Sequence, residues 1–247
     1  MNTVEIVFSP TGGTEKVADI ICNTWKNNIV KIDLTDYKME FSQCSINKDD
    51  RVLIAMPSFG GRAPTVAIER LKKISGNGAL CTLVCVYGNR AFEDTLAEME
   101  DVAKECGFCV NSAIAAVACH SIISHYASNR PDQRDEKQLI EFAQKIANKI
   151  ETMVSIPGNH HYKKPGAWLV PKATKNCVKC GVCAENCPVQ AIDYVSFKAD
   201  SKKCIGCMRC VKQCPHDVRK VNSFMVSIAA KAIKKACSIR KENELFI

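Results

Sequence analysis

No stretch of this 247-residue chain holds the roughly 18 consecutive apolar residues that a membrane-spanning helix needs, so no transmembrane segment is expected. The opening MNTVEIVFSPTGG lacks a basic stretch followed by an apolar one, which argues against an export signal. Neither GxxxxGK(S/T) nor GxGxxG occurs, excluding the ordinary phosphate loops of nucleotide and dinucleotide sites. A nucleophile elbow for acyl transfer is also missing. Basic residues are not interleaved with aromatics, and no recognised binding motif accompanies them, so nucleic acid is not an expected partner.

What is abundant is cysteine, 16 residues of it. In a chain without an export signal these read as metal ligands and reduced thiols rather than disulfides, and the expected compartment is the cytoplasm of a low-oxygen cell. Eight of them form two copies of one pattern, C-x2-C-x2-C-x3-C-P: Cys177, Cys180, Cys183, Cys187-Pro188, then Cys204, Cys207, Cys210, Cys214-Pro215. That is the spacing at which soft thiolates hold iron–sulfur clusters, and its exact repetition makes chance or structural zinc a poor explanation. By contrast, Cys22, Cys44, Cys81, Cys85, Cys106, Cys109 and Cys119 mostly fall in apolar patterns with no complete metal spacing, as buried free thiols do.

Charge is unevenly spread. The net charge is +8, yet residues 1–150 hold 17 Lys and Arg against 19 Asp and Glu, and the remainder holds 17 against 7. A basic, cysteine-rich half can steer an acidic redox partner, though ordinary solubility explains the same charges. Lys202, Lys203 and Lys212 are candidates for such a docking rim or for a solvated face.

Val4–Phe8 reads as a short buried strand running into Ser9-Pro10-Thr11-Gly12-Gly13-Thr14. An amphipathic helix follows, with Val17, Ile20, Ile21 and Trp25 on one stripe. Apolar runs at 29–34, 51–56, 79–87 and 109–118 predict four more strands, with helical patterns at 64–75, 92–106 and 135–152 between or after them. Pro64 is expected in the first turn of its helix, where its missing N–H costs nothing. Leu139, Ala143, Ile146 and Ile150 should form one face of the last of these helices.

Five strands alternating with helices predict an α/β fold with a doubly wound, five-stranded parallel sheet covered on both faces. Ligands of such sheets bind beyond the carboxyl ends of the strands, where the strand order reverses. Three loops reach that edge. In residues 9–14, two glycines and several hydroxyls let backbone N–H groups crowd an anion at a helix N-terminus. The others are Pro57-Ser58-Phe59-Gly60-Gly61-Arg62 and Tyr87-Gly88-Asn89-Arg90-Ala91-Phe92. After the fifth strand, His120-Ser121 is positioned to approach a ligand or the other half of the chain, and capping or packing is the plainer use of His120 and His125.

Residues 154–175 contain Pro157, Gly158, Pro165, Gly166 and Pro171 without a regular period, a linker signature. Tyr162, Trp168, Leu169 and Val170 make this segment too apolar for a free tether, so it should lie along both neighbours and fix their separation. The expected division is 1–153, a linker at 154–175, a cluster domain at 176–222, and a helix with a tail at 223–247. The third piece is too short for a large core, so metal binding must supply much of its folding energy. In the last piece, Phe224, Ile228, Ala232 and Ala236 should cover one side, with Ile233 and Cys237 beside them.

The loop Ser9-Pro10-Thr11-Gly12-Gly13-Thr14 resembles the T-x-T-G-x-T phosphate loop of flavodoxins, with Ser9 where Thr is usual. The whole arrangement resembles bacterial and archaeal flavodoxin–ferredoxin fusion proteins: a flavodoxin-like domain followed by a small α+β, bacterial-type ferredoxin module. The resemblance implies FMN. Its phosphate would be held by Ser9, Thr11, Gly12, Gly13 and Thr14. Pro57, Ser58, Phe59, Gly60 and Gly61 would hold its ring from one loop, and Tyr87, Gly88, Asn89, Arg90 and Phe92 from the other. Phe59 and either Tyr87 or Phe92 are stacking candidates, the alternative for Phe92 being to pack under its own helix. Arg62 or Arg90 could stabilise an anionic reduced flavin or sit in solvent.

The same resemblance implies two 4Fe-4S clusters. One takes Cys177, Cys180, Cys183 and Cys214; the other takes Cys204, Cys207, Cys210 and Cys187, each set borrowing its last ligand from the opposite repeat. Ala191–Tyr194 would form the short strand after the first motif, with Asp217-Val218-Arg219 in the corresponding place of the second. The expected function is an iron–sulfur flavoprotein oxidoreductase passing electrons between two 4Fe-4S clusters and FMN, and on to a small-molecule acceptor. The alternative is a non-catalytic electron carrier docking between larger redox enzymes. A third class, redox sensing, lacks a recognisable DNA-binding helix pair.

Overall fold

Short runs dominated by Val, Ile, Leu, Ala and Cys build five strands: β1 (Thr3–Val7), β2 (Ile29–Asp33), β3 (Arg51–Pro57), β4 (Leu80–Tyr87) and β5 (Cys109–Val117). Helices α1 (Gly13–Thr24), α2 (Thr65–Leu71), α3 (Thr95–Glu105) and α4 (Gln133–Ala147) alternate with or follow them. The computed structural model describes residues 1–149, 153–162 and 169–247. The five strands are parallel in the order β2-β1-β3-β4-β5, a flavodoxin-like doubly wound sheet whose order reverses between β1 and β3. Alternate residues feed two cores. Ile6, Ile54 and Leu83 pack with Leu71 and Met99 from α2 and α3, whereas Val7, Leu53 and Val84 pack with Ile21 and Leu139 from α1 and α4.

Several boundaries differ from expectation for local reasons. Pro64 does not enter the first helical turn. It is the extended N-cap of α2, and its carbonyl accepts from Ala67 and Ile68. That helix also ends at Leu71 rather than near 75. Helix α3 starts only at Thr95, after Glu93 adopts φ 44°. Helix α4 starts early because Asp132 and Asp135 form a reciprocal capping box. The expected continuation through Ile150 to residue 152 lies outside the described residues, as do Pro165, Gly166 and Trp168.

A strand that the pattern does not predict, β8 (Glu244–Phe246), pairs antiparallel with β5 and gives the sheet a sixth member. It covers an edge that would otherwise be open. The approach to it is tied down by Asn89, whose Nδ2 donates to the carbonyls of Cys237 and Ile239 at 3.0 and 2.9 Å while its Oδ1 accepts from Lys241 N–H at 3.1 Å. Arg130 binds Asp135 at 2.8 Å and the Lys241 carbonyl at 2.7 Å. Before that strap runs α7 (Ser223–Cys237), whose start is capped by the Asn222 side chain. The expected covered stripe is only partly realised: Phe224 and Ile228 remain exposed, and Cys237 is buried.

The cysteine-rich part has little regular structure: β6 (Lys172–Ala173) paired antiparallel with β7 (Arg219–Lys220), and the single turns α5 (Val182–Glu185) and α6 (Arg209–Lys212). Its own buried cluster is Ala184, Cys187, Ala191 and Ile192. Residues 191–194 make an isolated Ile192–Ala199 bridge rather than the expected strand. The Asp193 carboxylate accepts the N–H groups of Val195 and Ser196 and turns the chain at once.

An internal repeat is visible in the backbone. Positive φ recurs at Lys179 and Gly206, Gly181 and Met208, and Gln190 and Asp217. Each pair is separated by the 27 residues that separate Cys177 from Cys204. Met208 thus holds a left-handed conformation (φ 64°) that its partner position gives to glycine.

Within the segment before this region, Val154 and Ile156 pack on the larger core. The Asn159 backbone donates to Asp94 at 2.9 Å, and Tyr162 and His160 bind Asp101. Arg70 bridges the two parts, donating to the Leu34 carbonyl and the Pro188 carbonyl, both at 2.6 Å. Among the described residues, no helix is long and apolar enough to cross a membrane.

Candidate functional site

The two sets of four cysteines come together in space, each around its own cavity. Cys177, Cys180, Cys183 and Cys214 line one; Cys187, Cys204, Cys207 and Cys210 line the other. Each cavity is small, about 20 Å³. In each set the fourth sulfur comes from the opposite repeat. The turns α5 and α6 each follow a left-handed residue one position after the second cysteine and carry the third cysteine. Among the described residues, no three His, Cys, Asp or Glu side chains converge as a site for a single ion requires.

The surroundings of the two sets differ. Cys180 of the first is exposed, whereas Cys187 and Cys207 of the second are buried. Burial pushes the Cys207 thiol up to about 12.

At the β1–β3 switch point, Pro10, Thr11, Gly13 and Thr14 line a small cavity together with Pro57, Ser58, Phe59, Tyr87 and Gly88. Gly12 turns the chain at φ 88° into the N-terminus of α1. The N–H groups of Gly13 and Thr14 belong to the first helical turn and can find no acceptor inside the helix, leaving them for an anion. Ser9 serves the loop differently: its Oγ accepts the Glu15 N–H at 2.9 Å. Beyond this lies a larger cavity of about 310 Å³, walled by Ser58, Phe59, Gly60, Tyr87, Gly88, Arg90 and His120. Apolar Ile122, Ile123, Leu169 and Ile205 join them, and the α7 face Ile228, Ala229, Ala232 and Ile233 closes one side. An elongated, mostly apolar chamber leading from an anion cradle fits a phosphorylated ring system such as FMN.

Not every predicted residue reaches this chamber. Gly61 packs on Glu93, and an added Cβ would meet that side chain. Asn89 is consumed by the C-terminal strap. Phe92 packs between Tyr87 and Phe246, with ring centroids 5.5 and 6.4 Å away. Arg62 pairs with Glu98 and lies over Tyr162. Arg90 pairs with Glu93 at 2.6 Å and does line the chamber. His120 belongs to both cavities: its Nδ1 accepts N–H from Ile122 and Ile123 at 3.2 Å, which leaves the neutral ring's proton on Nε2. Burial, reinforced by Arg90, lowers its pKa.

The two sites adjoin. Cys207 lines the phosphate-loop cavity, and Ile205 and Gly206 line the ring-sized chamber. Spacing alone could not reveal this contact, because it depends on how the two parts dock. On the far side of the cluster region, a groove of about 630 Å³ is lined by Lys172, Lys175, Lys179 and Lys198 and reaches Cys177 of the first set. The lysines predicted as a rim, 202, 203 and 212, are not among its walls.

Residues 176–218 match a family model described as a 4Fe-4S dicluster domain. With the flavodoxin-like sheet, that match marks a redox protein of electron-transfer type. No curated protein matches the chain. Among solved structures it is similar to a flavodoxin of Streptococcus pneumonia TIGR4, at 22% identity over 59% of this chain and 97% of that one, with a TM-score of 0.43. It is similar to a flavodoxin from the domain Archaea at 15% identity over 60% and 96%, TM-score 0.44. Rubredoxin oxygen:oxidoreductase of Desulfovibrio gigas matches at 16% identity over 59% of this chain and 35% of its own, TM-score 0.45.

Proposed function

We propose that this chain is a flavodoxin–ferredoxin fusion protein that moves electrons between two 4Fe-4S clusters and FMN along a fixed order. The observation that carries the reading is the sharing of Cys207, Ile205 and Gly206 between the second cysteine set and the flavin-sized cavities. When bound, the clusters supply one-electron transfer and FMN links it to two-electron chemistry. The first set includes the exposed Cys180, and the second set, with Cys187 and Cys207 buried, is the one that shares walls with the chamber. Electron tunnelling falls steeply with distance, so this adjacency makes Cys204, Cys207, Cys210 and Cys187 the ligands of the intermediate cluster.

The protein's own groups have definable tasks. The α1 N-terminus, Thr11 and Thr14 bind the phosphate; Phe59 and Tyr87 border the ring; Ile205, Leu169 and the α7 face exclude water. Nε2–H of His120 is a hydrogen-bond donor at the chamber. The groove of Lys172, Lys175, Lys179 and Lys198 offers an acidic one-electron protein partner a docking face beside Cys177.

Two versions differ in where electrons leave. In one, a small-molecule acceptor reaches the flavin. In the other, the chain is a carrier between larger redox enzymes, a version favoured by the wall that α7 places on the chamber. Anaerobic purification should yield about eight iron and eight sulfide with one FMN per chain. Zinc without sulfide would end the proposal. Turnover of a soluble quinone by the reduced protein would then select the enzyme, and single-turnover oxidation only by a partner protein would select the carrier.

A further inference from the structure

Among the described residues, the largest fully buried side chain is a cation, Arg219, at 2% exposure. It sits between the two cysteine sets. Nη1 donates to the Phe197 carbonyl at 2.9 Å and points at Cys183 Sγ at 3.8 Å; Nη2 reaches the Pro171 carbonyl at 3.3 Å. Cys183 belongs to the first set, and the same guanidinium lies within electrostatic reach of Cys204 and Cys210 in the second. Its Nε is buried without a hydrogen-bond partner. No carboxylate forms an ion pair with it among the described residues.

Burying an arginine with one donor unmatched is costly unless negative charge stands nearby. Among the described residues, the negative charge that its contacts offer is that of the cysteine sets once they hold their clusters. The internal repeat sharpens the point. Arg219 follows Ile192 by the same 27 residues that separate the two motifs. Ile192 is also buried, inside the small aliphatic cluster of its own half. An aliphatic side chain therefore satisfies this position of the fold once, and the packing alone does not call for a guanidinium at the second occurrence.

We propose that Arg219 is a shared electrostatic positioning residue for both clusters: a fixed buried cation that favours their reduced, more negatively charged states. This inference rests on the two-cluster reading above. A reduced cluster carries one more negative charge than an oxidised one, and a cation held a few ångströms away in a poorly solvated site stabilises the added electron. Because one guanidinium faces ligands of both sets, both potentials should move together. The alternative is a purely architectural role, tying β7 to the Phe197 and Pro171 carbonyls.

The test is potentiometric titration of the anaerobic full-length protein, with each cluster followed by paramagnetic resonance. Arg219→Gln keeps hydrogen-bonding capacity and removes the charge. It should retain both clusters and lower both midpoint potentials, each by a tenfold or greater shift in the reduction equilibrium, about 59 mV for one electron. Arg219→Lys keeps the charge and should load both clusters with potentials nearer to the unaltered protein. Lys220→Gln, the same charge loss at the exposed neighbour on β7, should shift them far less. Potentials unchanged in a fully loaded Arg219→Gln protein would overturn the proposal. So would loss of clusters in both Arg219 variants, since that marks a folding role. If the unaltered protein itself lacks about eight iron, the two-cluster reading has failed first, and iron analysis distinguishes that outcome.

Discussion

The two halves of this chain hold together by different means. From Thr3 to Ala147 the fold rests on hydrocarbon: strands buried on both faces, and side chains such as Ile54 and Leu83 with no exposed surface. Between Lys172 and Lys220 there are two two-residue strands and two single helical turns, around a core of small residues and cysteines. The first half can be stable with its ligand site vacant, because each buried Val, Leu or Ile contributes about 1.5–3 kcal/mol. On the reading proposed above, the second half would draw much of its stability from bridging its sulfurs, as other small metal-dependent folds do. On that reading, stability and redox function should be separable in one half and inseparable in the other.

The largest effect should come from breaking that inseparability. Cys187 lies in the first repeat but lines the cavity of the second set. Cys187→Ser should abolish or convert the cluster held by Cys204, Cys207 and Cys210, halving iron content while spectra report the first cluster intact. Hydrogen exchange should then rise over 199–214 and stay unchanged in β3 and β4. Loss confined to the first cluster would contradict the crossed ligation.

The opposite perturbation sharpens the contrast. Leu83→Ala cuts a cavity into the larger core and should cost about 3 kcal/mol in chemical denaturation of the sheet domain. Iron per chain in the folded protein should be unchanged.

A third effect belongs to the larger half alone. Glu5, in the middle of β1, is 1% exposed, and burial pushes its carboxyl up to about 7 despite Lys31 at 3.3 Å. The folded state therefore holds its proton more tightly than the unfolded state. The stability linked to this group is full below about 4.5 and is lost as pH rises through about 7. Glu5→Gln should raise stability at pH 8 by at most about 3 kcal/mol and flatten the pH dependence in that window. Unfolding curves at several pH values check both. Smallest is the cap of α7: Asn222→Ala should cost about 1 kcal/mol locally and weaken FMN retention several-fold, measured by flavin fluorescence on dilution.

How much of this was legible beforehand follows from the range of each signal. Strand runs and the position of the glycine loop are local, so β1 to β5 and the place of that loop were readable. The crossed cysteine sets followed from a family resemblance, and the cavities carry the same grouping. Asn89 and Phe92 read as flavin contacts, yet the C-terminal strap and the Tyr87–Phe246 packing engage them, because that strap crosses the same sheet edge. The three residues of β8 carry too little pattern to predict a strand, and only the open flank of β5 makes them one. Residues 191–194 looked like a strand, but Asp193 offered its own backbone a tighter turn.

Periodicity, spacing and turn chemistry act between neighbours, and the sequence alone was enough for the doubly wound sheet, the twin cysteine motifs and the glycine loop between β1 and α1. Docking decided the rest. Arg70 joins the halves, Cys207 comes to border the glycine-loop cavity, α7 walls the larger chamber beside it, and a guanidinium from β7 is buried between two sets of thiols. Those relations depend on surfaces meeting across scores of residues, and no local preference in the chain encodes them.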